Sequence, residues 1–148
     1  MSAAWEHADC HRVGVIAVIV DDQDRVLLTR RHDNGHWEPP GGGLERDEDL
    51  ITGLRREVRE ETGLEVRLRV LAGVYKNMQR TVVTLVFRCA PAGGTLTLND
   101  EVTAFLWATP REVSELCSEA FAARVTDALS YRFLAGPAVR HHDGVRLL

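Results

Sequence analysis

Glu57, Glu60 and Glu61 stand at i, i+3 and i+4 in the segment Arg56-Glu57-Val58-Arg59-Glu60-Glu61. On a helix that spacing puts three carboxylates on one face. A helix is expected there because Ile51, Leu54 and Val58 recur at i, i+3 and i+7 as an apolar stripe. At about 100° per residue the acidic stripe lies roughly 80° from the apolar one, whereas a merely solvated stripe would lie opposite it. Glu61 falls nearly above Leu54, so part of the cluster is expected to be half-sheltered. Like charges so spaced repel by about 0.2–0.5 kcal/mol per pair, and partial burial adds to that. Arg56 is placed to pair with Glu60 one turn on. A hard divalent cation such as Mg²⁺, which takes carboxylate, water and phosphate oxygens, would relieve the rest. Taken alone, the segment also reads as an exposed helix laced with Glu–Arg pairs, and its surroundings decide between the two.

Those surroundings run Gly42, five residues, Glu48, seven residues, Arg56-Glu57-Val58, one residue, Glu60-Glu61, one residue, Gly63-Leu64. This resembles the Nudix box of the Nudix hydrolases, the MutT-like pyrophosphohydrolases. Seven fixed identities at ordinary residue frequencies arise by chance on the order of 10⁻⁹ times per starting position. Trp37-Glu38-Pro39-Pro40-Gly41-Gly42 is similar to the family's entry to the box. Two positions depart from the family's habit: Asp47 stands where glycine is common, and Gly53-Leu54 where two alanines are frequent. The strand pattern extends the resemblance to roughly Val13–Leu129.

The resemblance implies an α/β/α sandwich and attack of water on one phosphorus of a nucleoside diphosphate linked to another group. It also implies that the Gly42 carbonyl joins Glu57, Glu60 and Glu61 around Mg²⁺, with Mn²⁺ as an alternative. A general base must orient the water. Within the box the candidates are Glu60 and Glu48; outside it, Glu101 matches a glutamate that family members often carry in the loop before the last strand. Arg56 is expected to orient Glu60. For substrate, Trp37 offers either a stacking face or a plug under Pro39-Pro40, and Arg30, Arg31, Lys76 and Arg80 are candidates to meet phosphates. The ADP-ribose branch usually has a proline about fifteen residues past the box, and Lys76–Thr81 holds none. A coenzyme A motif opening at Leu27–Arg31 lacks its spacing to the box. A nucleoside triphosphate or a broader nucleotide derivative remains. A regulatory module that had lost turnover would have shed some of the glutamates, and all are present. RNA decapping would favour a basic groove with aromatics, against a net charge of −4.

These residues must be positioned by one domain, since 148 residues suit a single core. It is read as 1–148, with an N-terminal extension over 1–12 and a C-terminal tail or short added strand over 135–148. Val13–Val20 is β-branched and apolar, as in a strand buried on both faces. Asp21–Asp24 is a turn, and Arg25–Arg30 reads as the strand returning beside Val13–Val20 in a hairpin. Trp37–Gly43, with two prolines and three glycines, follows a fixed irregular path. Asp47 or Glu48 starts the helix and Thr62-Gly63 ends it. Glu65–Val74 and Thr81–Cys89 read as strands, Pro91–Gly94 as a turn, Ala104–Ala108 as a short strand, and Pro110–Cys117 and Glu119–Leu134 as helices. Strands around a catalytic helix, then terminal helices, point to an α/β fold with a mixed sheet. The longest apolar run is too short to span a bilayer, and no signal-peptide pattern precedes it. Cys10, Cys89 and Cys117 form no C-x-x-C pair or even framework, so reduced thiols and a cytoplasmic setting are expected. The partner is read as a small nucleotide, with no membrane and no nucleic acid; a homodimer is left open.

Overall fold

The computed structural model describes residues 10–130 and 136–148. Along them run β1 (Arg12–Ile19), β2 (Val26–Arg31), β3 (Trp37–Glu38), β4 (Gly41–Gly43), α1 (Leu50–Thr62), β5 (Leu64–Asn77), β6 (Val82–Gly94), β7 (Val102–Ala108), α2 (Pro110–Leu116), α3 (Glu119–Ser130) and β8 (Ala138–His142). A five-stranded mixed sheet has the order β4-β1-β6-β5-β8, and a three-stranded antiparallel sheet the order β3-β2-β7. The sequence-based expectation of an α/β/α sandwich with a mixed sheet holds.

Strand β1 shows why. Val15, Ala17 and Ile19 pack with Leu54 and Val58 of α1, while Ile16, Val18 and Val20 pack with Val125 and Ala128 of α3. Alternate side chains serve different layers, so the strand reads as continuously apolar although its period is two. The helices therefore lie on opposite faces of the sheet.

The hairpin expected between β1 and Arg25–Arg30 does not form. β1 has β4 on one side and β6, in parallel, on the other, so neither edge is open. β2 instead lies between β3 and β7, linked to the end of β1 by a single bridge, Val20 to Val26. The turn between them is set by Asp21, whose carboxylate accepts from the Gln23 and Arg25 backbone N–H groups and from Arg25 Nε. The expected turn at Pro91–Gly94 is likewise the end of β6, paired with Leu64–Val66. The register shifts there, which lets a proline sit in the ladder, and Gly94 supplies a φ of 80° that other residues resist.

Helix α1 starts later than expected. Asp49, extended at φ −75° and ψ 166°, caps it by accepting from Thr52 N at 2.8 Å; Glu48 is engaged elsewhere. Gly63, at φ 80°, ends it as expected. Helix α2 opens on a capping box between Thr109 and Glu112, with Pro110 in the first turn. The expected helix over Glu119–Leu134 is seen to Ser130, and its last residues fall outside the described ones, as does most of the N-terminal extension. Within the expected tail, Ala138–His142 forms β8, parallel to β5. No helix among the described residues is long and apolar enough to cross a membrane.

Asp127 of α3 ties these last elements together. It accepts from buried Tyr75 Oη at 2.5 Å and from Arg140 Nε and Nη2 of β8 at 2.6 and 2.7 Å. Burial pushes its carboxyl up, but the Arg140 and Tyr75 hydrogen bonds win and hold it below the usual range. Its ionisation thus favours the fold above the ordinary Asp pKa, and that contribution is lost as pH falls through the lowered value. Asp127→Asn is expected to cost about 2 kcal/mol at pH 7, the order for leaving a buried partner unsatisfied. Denaturant titrations should show the gap between variant and parent narrowing below about pH 4.

Candidate active site

One guanidinium organises the catalytic helix. Arg56 donates from Nε and Nη2 to the two carboxylate oxygens of Glu48 at 2.9 and 2.6 Å. Its Nη1 reaches Glu57 Oε1 and Glu60 Oε2, each at 3.1 Å, and Nη2 also reaches the Gly43 carbonyl at 3.1 Å. The approach to α1, strand β4 and two glutamates of the stripe thus meet on a single side chain. The Arg56 hydrogen bonds, with one from Glu45 N, hold the Glu48 carboxyl below its ordinary range. Gly53 makes room for it: a Cβ there would stand 2.8 Å from Glu48 Oε1. That is the physical content of a glycine at this departure from the family's habit.

Glu57 and Glu61 face the glycine strand β4. Gly41 N–H donates to Glu61 Oε2 at 3.2 Å, and a Cβ on Gly42 would lie 2.6 Å from the Glu57 carboxylate. Only a residue without a side chain lets backbone and carboxylate come so close. Glu57 is 9% exposed and Glu61 half-buried, as its place above Leu54 predicts, while Glu60 is mostly in solvent. Burial, opposed by Arg56 and assisted by Glu60 and Glu101, raises the Glu57 carboxyl. Burial chiefly, then the nearby charges of Glu57, Glu38 and Glu101 against one backbone hydrogen bond, pushes the Glu61 carboxyl up to about 8. Glu61, which Arg56 does not reach, therefore keeps its proton at neutral pH. The donors are all hard oxygens, which suits Mg²⁺ or Mn²⁺ and no soft metal. With Glu57 and Glu60 turned toward Arg56, no three acidic, histidine or cysteine side chains among the described residues converge in ion-holding geometry. A cation would have to draw them from the arginine.

Glu101 approaches from the other sheet. Asn99 fixes its loop: Nδ2 donates to the Glu61 carbonyl at 2.7 Å, and Oδ1 accepts from Glu101 N and Val102 N at 2.9 and 3.1 Å. His32 N–H donates to the Glu101 carbonyl at 2.8 Å. Glu101, Glu61, Arg31 and Thr29 then line one cavity of about 190 Å³. A second, of about 320 Å³, opens over Gly41–Gly43, with Gly14, Thr84, Arg12 and Arg80 in its walls. Arg31 borders both cavities, held by Asp33 at 2.6 Å and Glu38 at 3.0 Å.

Glu48, Arg56, Glu57, Glu60, Glu61, Gly42 and Glu101 are thus brought to one region, with Arg31 and Arg80 at its edge. Trp37 packs instead against the apolar cluster of Tyr75 and Val125, and it borders neither cavity. Asn99 and Glu38 had not been singled out. Asn99 followed by Asp100 is a turn signal that could have marked it, but nothing in its own neighbourhood says that it binds the end of α1.

The NUDIX domain family matches residues 11–129, and the chain belongs to it: it is a Nudix hydrolase, an enzyme acting on acid anhydrides. A MutT-like protein of Streptomyces ambofaciens is 52% identical over 138 residues, covering 93% of this chain and 88% of that one. The nucleoside triphosphatase NudI of Escherichia fergusonii is 27% identical over 120 residues, covering 68% and 84%. A NUDIX hydrolase structure from Nitrosomonas europaea superposes with a TM-score of 0.77 at 21% identity, covering 92% of this chain and 82% of the other.

Crowded buried carboxylates suit an ion and weaken the ion-free fold. Glu61→Gln is therefore expected to raise the melting temperature in EDTA at neutral pH by about 3 °C, the shift that about 1 kcal/mol produces in a domain of this size. In the same melts millimolar Mg²⁺ is expected to stabilise the parent chain and to stabilise this variant less.

Proposed function

We propose that this chain hydrolyses a nucleoside triphosphate, or another nucleotide whose diphosphate is linked to a further group, in a reaction that depends on Mg²⁺ or Mn²⁺. The observation that carries this reading is the pair Glu57 and Glu61, pressed against a side-chain-free strand with a carboxyl pushed up to about 8. Glu57, Glu60, Glu61 and the Gly42 carbonyl would hold the cation. When bound, it would supply positive charge to the diphosphate and to the charge developing in the transition state.

The chain's own residues do the rest. The cavity over β4 has room for a nucleoside, and the smaller one beside Glu61 for phosphate groups. Arg31, bordering both and fixed by two carboxylates, is placed to meet the phosphates between them, and Arg80 stands at the outer wall. Water attacks one phosphorus, the anhydride P–O bond breaks, and the leaving oxygen departs on a phosphate or phosphoryl compound. The proton lost by the water goes to Glu101. Glu48 is a poor acceptor because both its oxygens are occupied by Arg56. Glu60 has one oxygen on the same arginine. Glu101 shares a cavity with Glu61, and its loop is pinned by Asn99. Arg56 acts through the carboxylates it holds. The NudI relative, named for nucleoside triphosphates, supports the triphosphate as the first substrate to try.

The test is a panel of nucleoside triphosphates and nucleotide derivatives, with Mg²⁺ or Mn²⁺, followed by product identification. Turnover should vanish in EDTA. Glu57→Gln and Glu60→Gln should abolish it while circular dichroism shows the fold kept; full activity in either would contradict the cation assignment. Glu101→Gln is expected to lower kcat by about 10²-fold, a usual general-base contribution. A negligible change would return the proton to the box.

A further inference from the structure

We propose that the cleft at the opposite end of the five-stranded sheet is a second, non-catalytic binding site for a small phosphate-bearing anion, seated on Arg67, Arg69 and Arg88. Strand β1 meets the glycine strand at Gly14–Ile16 and ends at Ile19, and the next two residues, Val20 and Asp21, line the cleft. From Val15 to Val20 the rise is about 16 Å, so the cleft lies well away from the glutamate cluster. It encloses about 470 Å³ between the Asp21-Asp22 turn and the β5–β6 pair, within the range of small-molecule sites.

The sheet geometry gathers the arginines. Arg67 and Arg69 alternate with Leu68, which packs on the α1 side of the sheet, so both turn to the other face. There the ladder slips: Leu68 pairs with Cys89 and Val70 with Arg88, leaving Arg69 and Val70 together opposite Arg88. Such a bulge re-aims a side chain, and here it brings Arg69 beside Arg88. Arg88 is anchored by donating to the Ala128 carbonyl at 3.2 Å. Arg67 and Arg69 are exposed, and their side chains make no hydrogen bond or ion pair among the described residues.

Two acidic residues share the lining. Asp21 is committed to Arg25 and two backbone N–H groups, which leaves Asp22 beside the exposed Arg67 and Arg69. In a chain of net charge −4 this is a local reversal of sign. Guanidinium groups recognise phosphate by paired, charge-assisted hydrogen bonds. The volume exceeds one phosphate, and Val20, Ala90 and Pro91 supply an apolar wall. The site thus suits a diphosphate, either free or as part of a nucleotide whose ring lies on that wall.

Calorimetric titration of the full chain in EDTA, with inorganic pyrophosphate in one arm and ADP in the other, tests this without turnover. Failure would therefore leave the hydrolase reading intact. Saturable binding is expected, weakened about tenfold or more in the exposed-residue variant R67Q/R69Q, whereas R12Q/R80Q, which alters the cavity beside β4 that would seat a nucleoside, is expected to leave the pyrophosphate affinity unchanged. ADP binding more tightly than pyrophosphate would mean that the apolar wall holds a ring; equal affinities would mean that the diphosphate alone is recognised. Lack of saturation by either ligand up to about 10 mM, or unchanged binding in R67Q/R69Q, would overturn the proposal.

Discussion

Repulsion among carboxylates is the constraint that shapes this molecule. Glu48, Glu57, Glu60 and Glu61 are gathered along one face of α1, and Arg56 compensates the first three. A planar fork with five donors can bridge several carboxylates at fixed angles, which a lysine ammonium cannot. Glu61 lies beyond its reach, against Gly41, and burial chiefly, then the charges of Glu57, Glu38 and Glu101, raises its carboxyl. The crowding of these carboxylates is thus a store of unrelieved repulsion held along the helix.

The fold keeps that store in place by withholding side chains. Gly41 and Gly42 let β4 lie under the carboxylates, and Gly53 lets Glu48 tuck against the helix. The two sheets then divide the labour. The mixed sheet carries β4 and the wider cavity, and the antiparallel sheet brings Arg31 and the Glu101 loop. Asn99 joins the two halves by binding the Glu61 carbonyl. Groups from both sheets thus meet beside the glutamate helix, and their spacing depends on the relative placement of the sheets.

Much of this was legible beforehand. The stripe of Glu57, Glu60 and Glu61 and the shelter of Glu61 above Leu54 follow from periodicity, the buried strand β1 from a β-branched apolar run and the stop at Gly63 from glycine's backbone freedom, each a signal carried by residues within a turn or two. The hairpin after β1, the turn at Pro91–Gly94 and the start of α1 were misread for one reason. Each local signal was outweighed by a partner distant in sequence: β6 already beside β1, β5 beside Pro91, and Arg56 taking Glu48 away from the cap.

The sequence by itself determined the chemistry: an acidic helical face, a glycine approach and a box whose spacing is too specific for chance. Tertiary structure alone decided which carboxylates are satisfied and which are strained, that Trp37 packs against the core, that Arg31 stands between two cavities, and that three arginines gather at the far end of the sheet. The division has a physical cause. Helical spacing is a property of neighbouring residues, whereas burial and compensation depend on what the rest of the chain brings alongside.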